Sequence, residues 1–130
     1  MDFRDLGAIT IFTEDLGASR AFYGTAWGLR EIFADDVSSA YDLGNTMINV
    51  LDVSAAADLV APAHVGGCEA GVRAQLSVFV EDVDAAGAQL ARAGVEVLSG
   101  PIDRAWGMRT LSFLDPSGHL WELAQEIFPS

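Results

Sequence analysis

The chain repeats itself, and the repeat limits its fold more than any other feature. Laid over "LSVFVEDVDAAGAQL" (76–90), the stretch "ITIFTEDLGASRAFY" (9–23) matches Phe12 to Phe79, Glu14 to Glu81, Asp15 to Asp82, Ala18 to Ala85 and Ala21 to Ala88, at a constant offset of 67 residues. Apolar positions follow the same offset, Ile11 with Val78 and Leu16 with Val83. Such self-similarity means one supersecondary unit built twice. A module of about 55 residues buries too little surface to stand alone. The halves are therefore expected to pack as a single domain over 1–130, with module 1 at 1–58, a connection at 59–70 and module 2 at 71–130.

Each copy opens with a short β-branched run whose residues alternate, the pattern of a strand. Asp15 and Asp82 then stand where a helix N-cap belongs, each followed by alanine-rich sequence. These spans predict helices over Leu16–Thr25 and Val83–Ala93, with Gly94 as the residue that stops the second. Strand-like runs follow in both halves: "REIFA", "SSAYDL" and "TMINVLDV" in the first, "VEVLSG", "MRTLSFL" and "HLWELAQEI" in the second. Each half thus reads strand–helix–strand–strand–strand. Residues 54–70 show no clear periodicity and carry Pro62, Gly66 and Gly67, as a linker would.

Charge narrows the partners. The formal net charge is −12, and the seven basic residues are all arginine, which argues against a nucleic-acid partner needing a basic footprint. An acidic surface attracts cationic ligands over a distance. No apolar run approaches the roughly 20 residues of a membrane-spanning helix. The opening "MDFRDLGAIT" lacks a basic-then-apolar signal segment, and the lone Cys68 has no partner for an internal disulfide. A soluble cytoplasmic protein is expected.

The βαβββ tandem, closed by "GMRTLSFLDPSGHLWEL" and opened by "EDLGASRAFY", resembles the vicinal oxygen chelate superfamily. That family includes glyoxalase I, extradiol dioxygenases, fosfomycin-modifying enzymes and bleomycin-resistance proteins. The resemblance implies an α+β fold of two tandem βαβββ modules whose mixed sheets form an open cup, with helices outside, and usually a homodimer. The fold hosts both catalysts and simple binders, so it leaves enzyme and binding protein both open.

In metal-dependent members of that family four side chains point into the cup, one from the first and one from the last strand of each module. The resemblance places those positions at Ala8, Asn49, Gln75 and Glu122. Only Glu122 keeps the usual carboxylate. An amide at Asn49 is a poor ligand, Gln75 is an occasional one, and Ala8 has no donor. Catalytic zinc sites take three good protein ligands, and octahedral oxygen sites want several strong donors. No cofactor is therefore expected; if a divalent metal binds, Gln75 and Glu122 are the residues to hold it.

Strand alternation gives a cup-facing set of Ala8, Thr10, Phe12, Met47, Asn49, Gln75, Ser77, Phe79, Arg109, Leu111, Phe113, Leu120 and Glu122. The opposite set, including Ile11, Ile48, Val50, Val78 and Leu123, is expected to pack under the helices. The assignment of β-partners in the last hairpin treats "DPSG" (115–118) as a four-residue turn. That register puts Leu111 opposite Glu122 and Arg109 opposite Ala124, so Arg109 is expected to neutralise Glu122 inside the cup. By the same alternation His119 and Trp121 point the other way. Trp106, beside a glycine at a strand entrance, is a candidate to line the cup mouth.

Phe12, Asn49, Gln75, Phe79, Trp106, Arg109, Phe113 and Glu122 are thus the expected ligand-binding residues, and Glu122 is the catalytic candidate if there is chemistry. The favoured expectation is metal-independent binding of a small aromatic or cationic molecule. The alternative is a metal-dependent lyase, isomerase or dioxygenase of the glyoxalase type using Glu122 and Gln75. "GGCEAG" lacks the GK[ST] ending of a phosphate loop, and no Ser–His–Asp or Cys–His arrangement stands out.

Overall fold

The computed structural model describes residues 2–128. The chain divides between Glu69 and Ala70 into two compact units, each holding one sheet. The first contains β1 (Ile9–Thr13), α1 (Leu16–Arg20), β2 (Glu31–Ala34), β3 (Ser38–Asp42), β4 (Met47–Asp52) and α2 (Val53–Val60). The second contains β5 (Gln75–Phe79), α3 (Val83–Arg92), β6 (Val97–Asp103), β7 (Met108–Leu114) and β8 (Leu120–Glu126). Strand orders are β1-β4-β3-β2 and β5-β8-β7-β6, with the first strand of each module parallel to its last and the other pairs antiparallel. This is the expected α+β architecture of two βαβββ modules.

The repeat extends to details that a sequence overlay does not reach. Thr10 pairs with Asn49 in the first sheet, and Ser77, its repeat-mate, pairs with Glu122 in the second. Asn49 and Glu122 are therefore equivalent positions. The outer strands also share an irregularity: the register skips Ile32 in β2 and Leu98 in β6. One extra residue in an edge strand bends it and increases its twist.

Both predicted N-caps are in place. Asp15 and Asp82 have extended backbones, and their carboxylates accept from the backbone N–H of Ala18 and Ala85 respectively, at 3.0 Å each. Each satisfies one of the donors that a helix start leaves open. The predicted stop at Gly94 also holds: its φ is 88°, its N–H donates to Ala91, and the Val95 N–H donates back to Leu90. These are the paired bonds of a Schellman cap. The first helix differs from expectation, because α1 runs on as a π-helical stretch at Ala21–Ala26. That stretch seats Phe22 and Tyr23 in the core and stacks Tyr23 against Trp27 at 5.8 Å.

Two expectations need correcting. Residues 53–60, assigned in part to the linker, form α2, started by the Asp52 carboxylate accepting from the Ser54 N–H. An eight-residue helix is too short to show more than two turns of periodicity, so its alanines carry the signal alone. The last hairpin is one residue out of the expected register: Leu114 pairs with Leu120, Phe113 with Trp121, Ser112 with Glu122 and Leu111 with Leu123. Asp115 opens a type I turn with Pro116 next, closed by the Gly118 N–H on the Asp115 carbonyl at 3.1 Å, and Gly118 then takes a φ of 89°. A type I turn followed by a left-handed residue is the usual three-residue hairpin loop.

One residue of slip exchanges the two faces of a strand. Arg109, Leu111 and Phe113 therefore lie on the helix side of the second sheet, and the open side takes Met108, Thr110, Ser112 and Leu114. The burial pattern agrees, since Leu111, Phe113, Trp121 and Leu123 are core residues alongside Val83 and Leu90 of α3. Side chains of this size stabilise by about 1.5–3 kcal/mol each when fully buried. In the first unit Ile11, Ile48 and Val50 play the same part with Phe22 and Tyr23.

Candidate functional site

Glu122 lies on the open face of the second sheet, half-buried, with its Oε1 accepting from the Ser77 hydroxyl at 2.9 Å. The expected arginine is not its partner. Arg109, on the other face, donates to both Asp84 oxygens of α3 at 3.0 and 3.1 Å and to Asp103 of β6 at 2.9 Å. It fastens the helix start to the sheet edge. Among the described residues no basic side chain forms an ion pair with Glu122.

The Arg109 hydrogen bonds hold the Asp84 carboxyl below its ordinary range. A carboxyl depressed in the folded state adds stability that is fully present above its unfolded value, about 3.9, and is lost as pH falls through the lower folded value. Arg109→Met is accordingly expected to flatten the acid limb of the stability profile below pH ~4. Urea midpoints measured from neutral pH downward check this; parallel profiles for the two proteins would show that the pair has no linkage to folding.

The strand register arranges the open face of the second unit in rows. Glu122 is opposite Ser77 on one side and Ser112 on the other, and Ser112 is opposite Ser99 of β6. One row across four strands is thus Ser77–Glu122–Ser112–Ser99. The next row is Phe79–Ala124–Thr110–Ile102, and on the other side Gln75 pairs with Leu120, which pairs with Leu114. Gln75 and Phe79 are therefore placed on the same face as Glu122, and Phe79 is 78% exposed. Phe113, expected on the ligand face, is instead buried on the opposite face.

In the first unit the equivalent row is Thr10–Asn49–Ala40–Phe33. The Asn49 amide donates to the Thr10 hydroxyl at 3.5 Å, a weak counterpart of the Ser77–Glu122 bond. Phe12 lies on that face one row along. Ala8 precedes β1 and is exposed. Trp106, 71% exposed in the β6–β7 turn, has the Arg104 guanidinium 5.9 Å from its ring centre. Arg104 also donates to the Thr110 hydroxyl at 3.0 Å, which puts its charge beside the Phe79–Ile102 row. His119 and Trp121 lie off the open face as expected: Trp121 is core, and His119 bonds Asp115 at 2.8 Å.

The serines at 99 and 112 stand in the Glu122 row, a placement the sequence reading missed. A one-residue slip hid Ser112, and the skipped Leu98 hid Ser99. In the second unit Glu122 is the one carboxylate of its row, with serine hydroxyls beside it, and among the described residues no three His, Cys, Asp or Glu gather closely enough to hold an ion. No helix among them is long and apolar enough to cross a membrane.

A sequence model of the Glyoxalase/Bleomycin resistance protein/Dioxygenase superfamily matches residues 5–123. Several solved structures superpose along most of the chain. A glyoxalase-related enzyme from Fulvimarina pelagi does so with a TM-score of 0.82 at 23% identity, over 95% of this chain and 89% of that one. A glyoxalase/bleomycin resistance protein/dioxygenase from Nocardioides gives 0.79 at 21%, over 100% and 88%. Lactoylglutathione lyase from Agrobacterium tumefaciens gives 0.74 at 20%, over 96% of each. At these identities the likeness is one of fold. None of the curated proteins compared with the chain matches it.

Proposed function

The chain belongs to the glyoxalase/bleomycin resistance protein/dioxygenase superfamily, and from that premise we propose that it binds a small aromatic or cationic molecule, without a metal, on the open face of its second sheet. The observation that carries this reading is Glu122, a half-buried carboxylate held by Ser77 and paired with no described cation. Taking a carboxylate partly out of water costs free energy that a bound cation offsets. Phe79 and Leu120 supply apolar surface on either side of the acid, the mixture a small-molecule site presents. An aromatic ring near a bound cation contributes about 0.5–1 kcal/mol at an exposed site. The net charge of −12 favours the encounter.

Benzyltrimethylammonium is a suitable probe, since it joins a ring to a fixed positive charge. Isothermal titration is expected to show saturable binding that weakens about tenfold in Glu122→Gln, the loss that matches one charge contact of about 1.4 kcal/mol. No heat, together with no shift in melting temperature, would sink the reading. Glu122 occupies the family's ligand position on the last strand, which is the motive for the alternative metal-dependent lyase, isomerase or dioxygenase. Elemental analysis of protein purified without chelators separates the two: stoichiometric metal would favour that alternative.

A further inference from the structure

We infer that the ligand Glu122 receives is a hydroxylated ammonium compound, an amino polyol rather than a bare cation. This inference rests on the binding reading above and narrows its ligand class. The row Ser77–Glu122–Ser112–Ser99 crosses all four strands of the second sheet, and three of its four members are hydroxyls. Ser77 is committed to Glu122 through its hydrogen, which leaves its oxygen lone pairs as acceptors. Ser112 and Ser99 each offer a donor and two acceptors, and neither makes a side-chain hydrogen bond to another described residue.

Neighbouring strands lie about 4.8 Å apart. That spacing is close to the distance between equatorial substituents on alternate carbons of a six-membered ring. A ring with its ammonium over Glu122 therefore brings a hydroxyl two carbons away over Ser112, with a further substituent toward Ser99. The rows on each side are less polar: Thr110, whose hydroxyl accepts from Arg104, stands among Phe79, Ala124 and Ile102 on one side, and Gln75 stands beside Leu120 and Leu114 on the other. Arg104, bonded to Thr110 in the flanking row, repels a second positive charge on that side and confines the ammonium to Glu122. The first unit has no such strip: its equivalent row ends in Ala40 and Phe33, and Asn49 carries no charge. The amino-polyol strip belongs to the second unit alone among the described residues.

Three six-membered-ring probes separate the contributions: glucosamine, cyclohexylamine and glucose, titrated into the full chain and followed by amide chemical shifts. Glucosamine is expected to bind about tenfold more tightly than cyclohexylamine, the gain of two neutral hydrogen bonds, and more tightly than glucose. In the Ser99→Ala, Ser112→Ala double variant the ratio of the glucosamine and cyclohexylamine constants is expected to fall toward one. Equal binding of the two amines by the wild-type chain would overturn the inference, as would an unchanged ratio in the variant. If benzyltrimethylammonium binds and glucosamine does not, the hydroxyl assignment fails while the cation reading stands. If no cation binds, both fail.

Discussion

Gly100→Ala is expected to destabilise the protein by about 3 kcal/mol, adding the cost of a left-handed L-residue to that of an overpacked contact. Gly100 has a φ of 95°, and a Cβ built on it would lie 2.4 Å from the Thr110 carbonyl oxygen and 2.9 Å from the Leu111 Cα. Both obstacles are backbone atoms of the neighbouring strand, so no side-chain rotation relieves the contact. The glycine sits where β6 falls out of step with β7 for the second time, between Ser99 and Ile102. The strand bends there, and the bend lets Ser99 and Ile102 both reach the open face although three positions separate them. A loss of this size is a large part of the 5–15 kcal/mol that holds a typical domain together. The melting temperature is expected to fall by roughly 10 °C, and chemical denaturation gives the free energy directly. A change under 1 kcal/mol would mean that β6 shifts away from β7 without cost. By contrast, Gly87 of α3 would meet only the Leu111 Cδ2, at 2.6 Å, the far end of a flexible side chain.

The parts of this molecule that were legible beforehand are those with local or repeated causes. The βαβββ tandem follows from the offset that aligns Phe12 with Phe79 and Asp15 with Asp82. The starts of α1 and α3 were visible because an aspartate follows a strand-like run and precedes alanine-rich sequence at the same place in both repeats. Glu122 was visible because a carboxylate is conspicuous in an apolar strand. The misreading came from long-range pairing, where one residue decides everything. Treating "DPSG" as the whole turn, and not as a type I turn plus a left-handed glycine, moved Arg109 onto the wrong face and gave Glu122 a counter-charge it lacks. The Asp-Pro-x-Gly order was itself the missed signal: proline suits the second position of a type I turn, and glycine the left-handed position after it. Ser99 was illegible for a different reason. The skipped residue, Leu98, breaks the alternation on which every face assignment depends, and an edge-strand irregularity has no strong local marker.

Removing the Asp115 side chain is expected to cost about 3 kcal/mol or more, because charge-assisted hydrogen bonds contribute roughly 1.5–3 kcal/mol each and several depend on this one carboxylate. Its side chain is 1% exposed. Oδ1 accepts from the backbone N–H of Ser117 and of His119, both at 2.9 Å, and Oδ2 meets the His119 Nδ1 at 2.8 Å. Asp115→Ala strands the two N–H groups in a buried turn. Asp115→Asn keeps one acceptor oxygen for them and disturbs only the imidazole contact, so it is expected to lose about 1 kcal/mol, near the cost of one neutral hydrogen bond. Urea midpoints of the two variants and of His119→Ala separate the backbone share from the imidazole share; equal losses for Asp115→Ala and Asp115→Asn would show that the turn does not depend on the carboxylate oxygens. The consequence reaches the site, because this turn fixes the register of β7 against β8. Held as it is, Ser112 stands opposite Glu122 on the open face; one residue of slip would bring Leu111 there instead, and the acid would keep Ser77 but lose the Ser112 hydroxyl. Weakened ligand binding is therefore expected in Asp115→Ala even at temperatures where the variant stays folded.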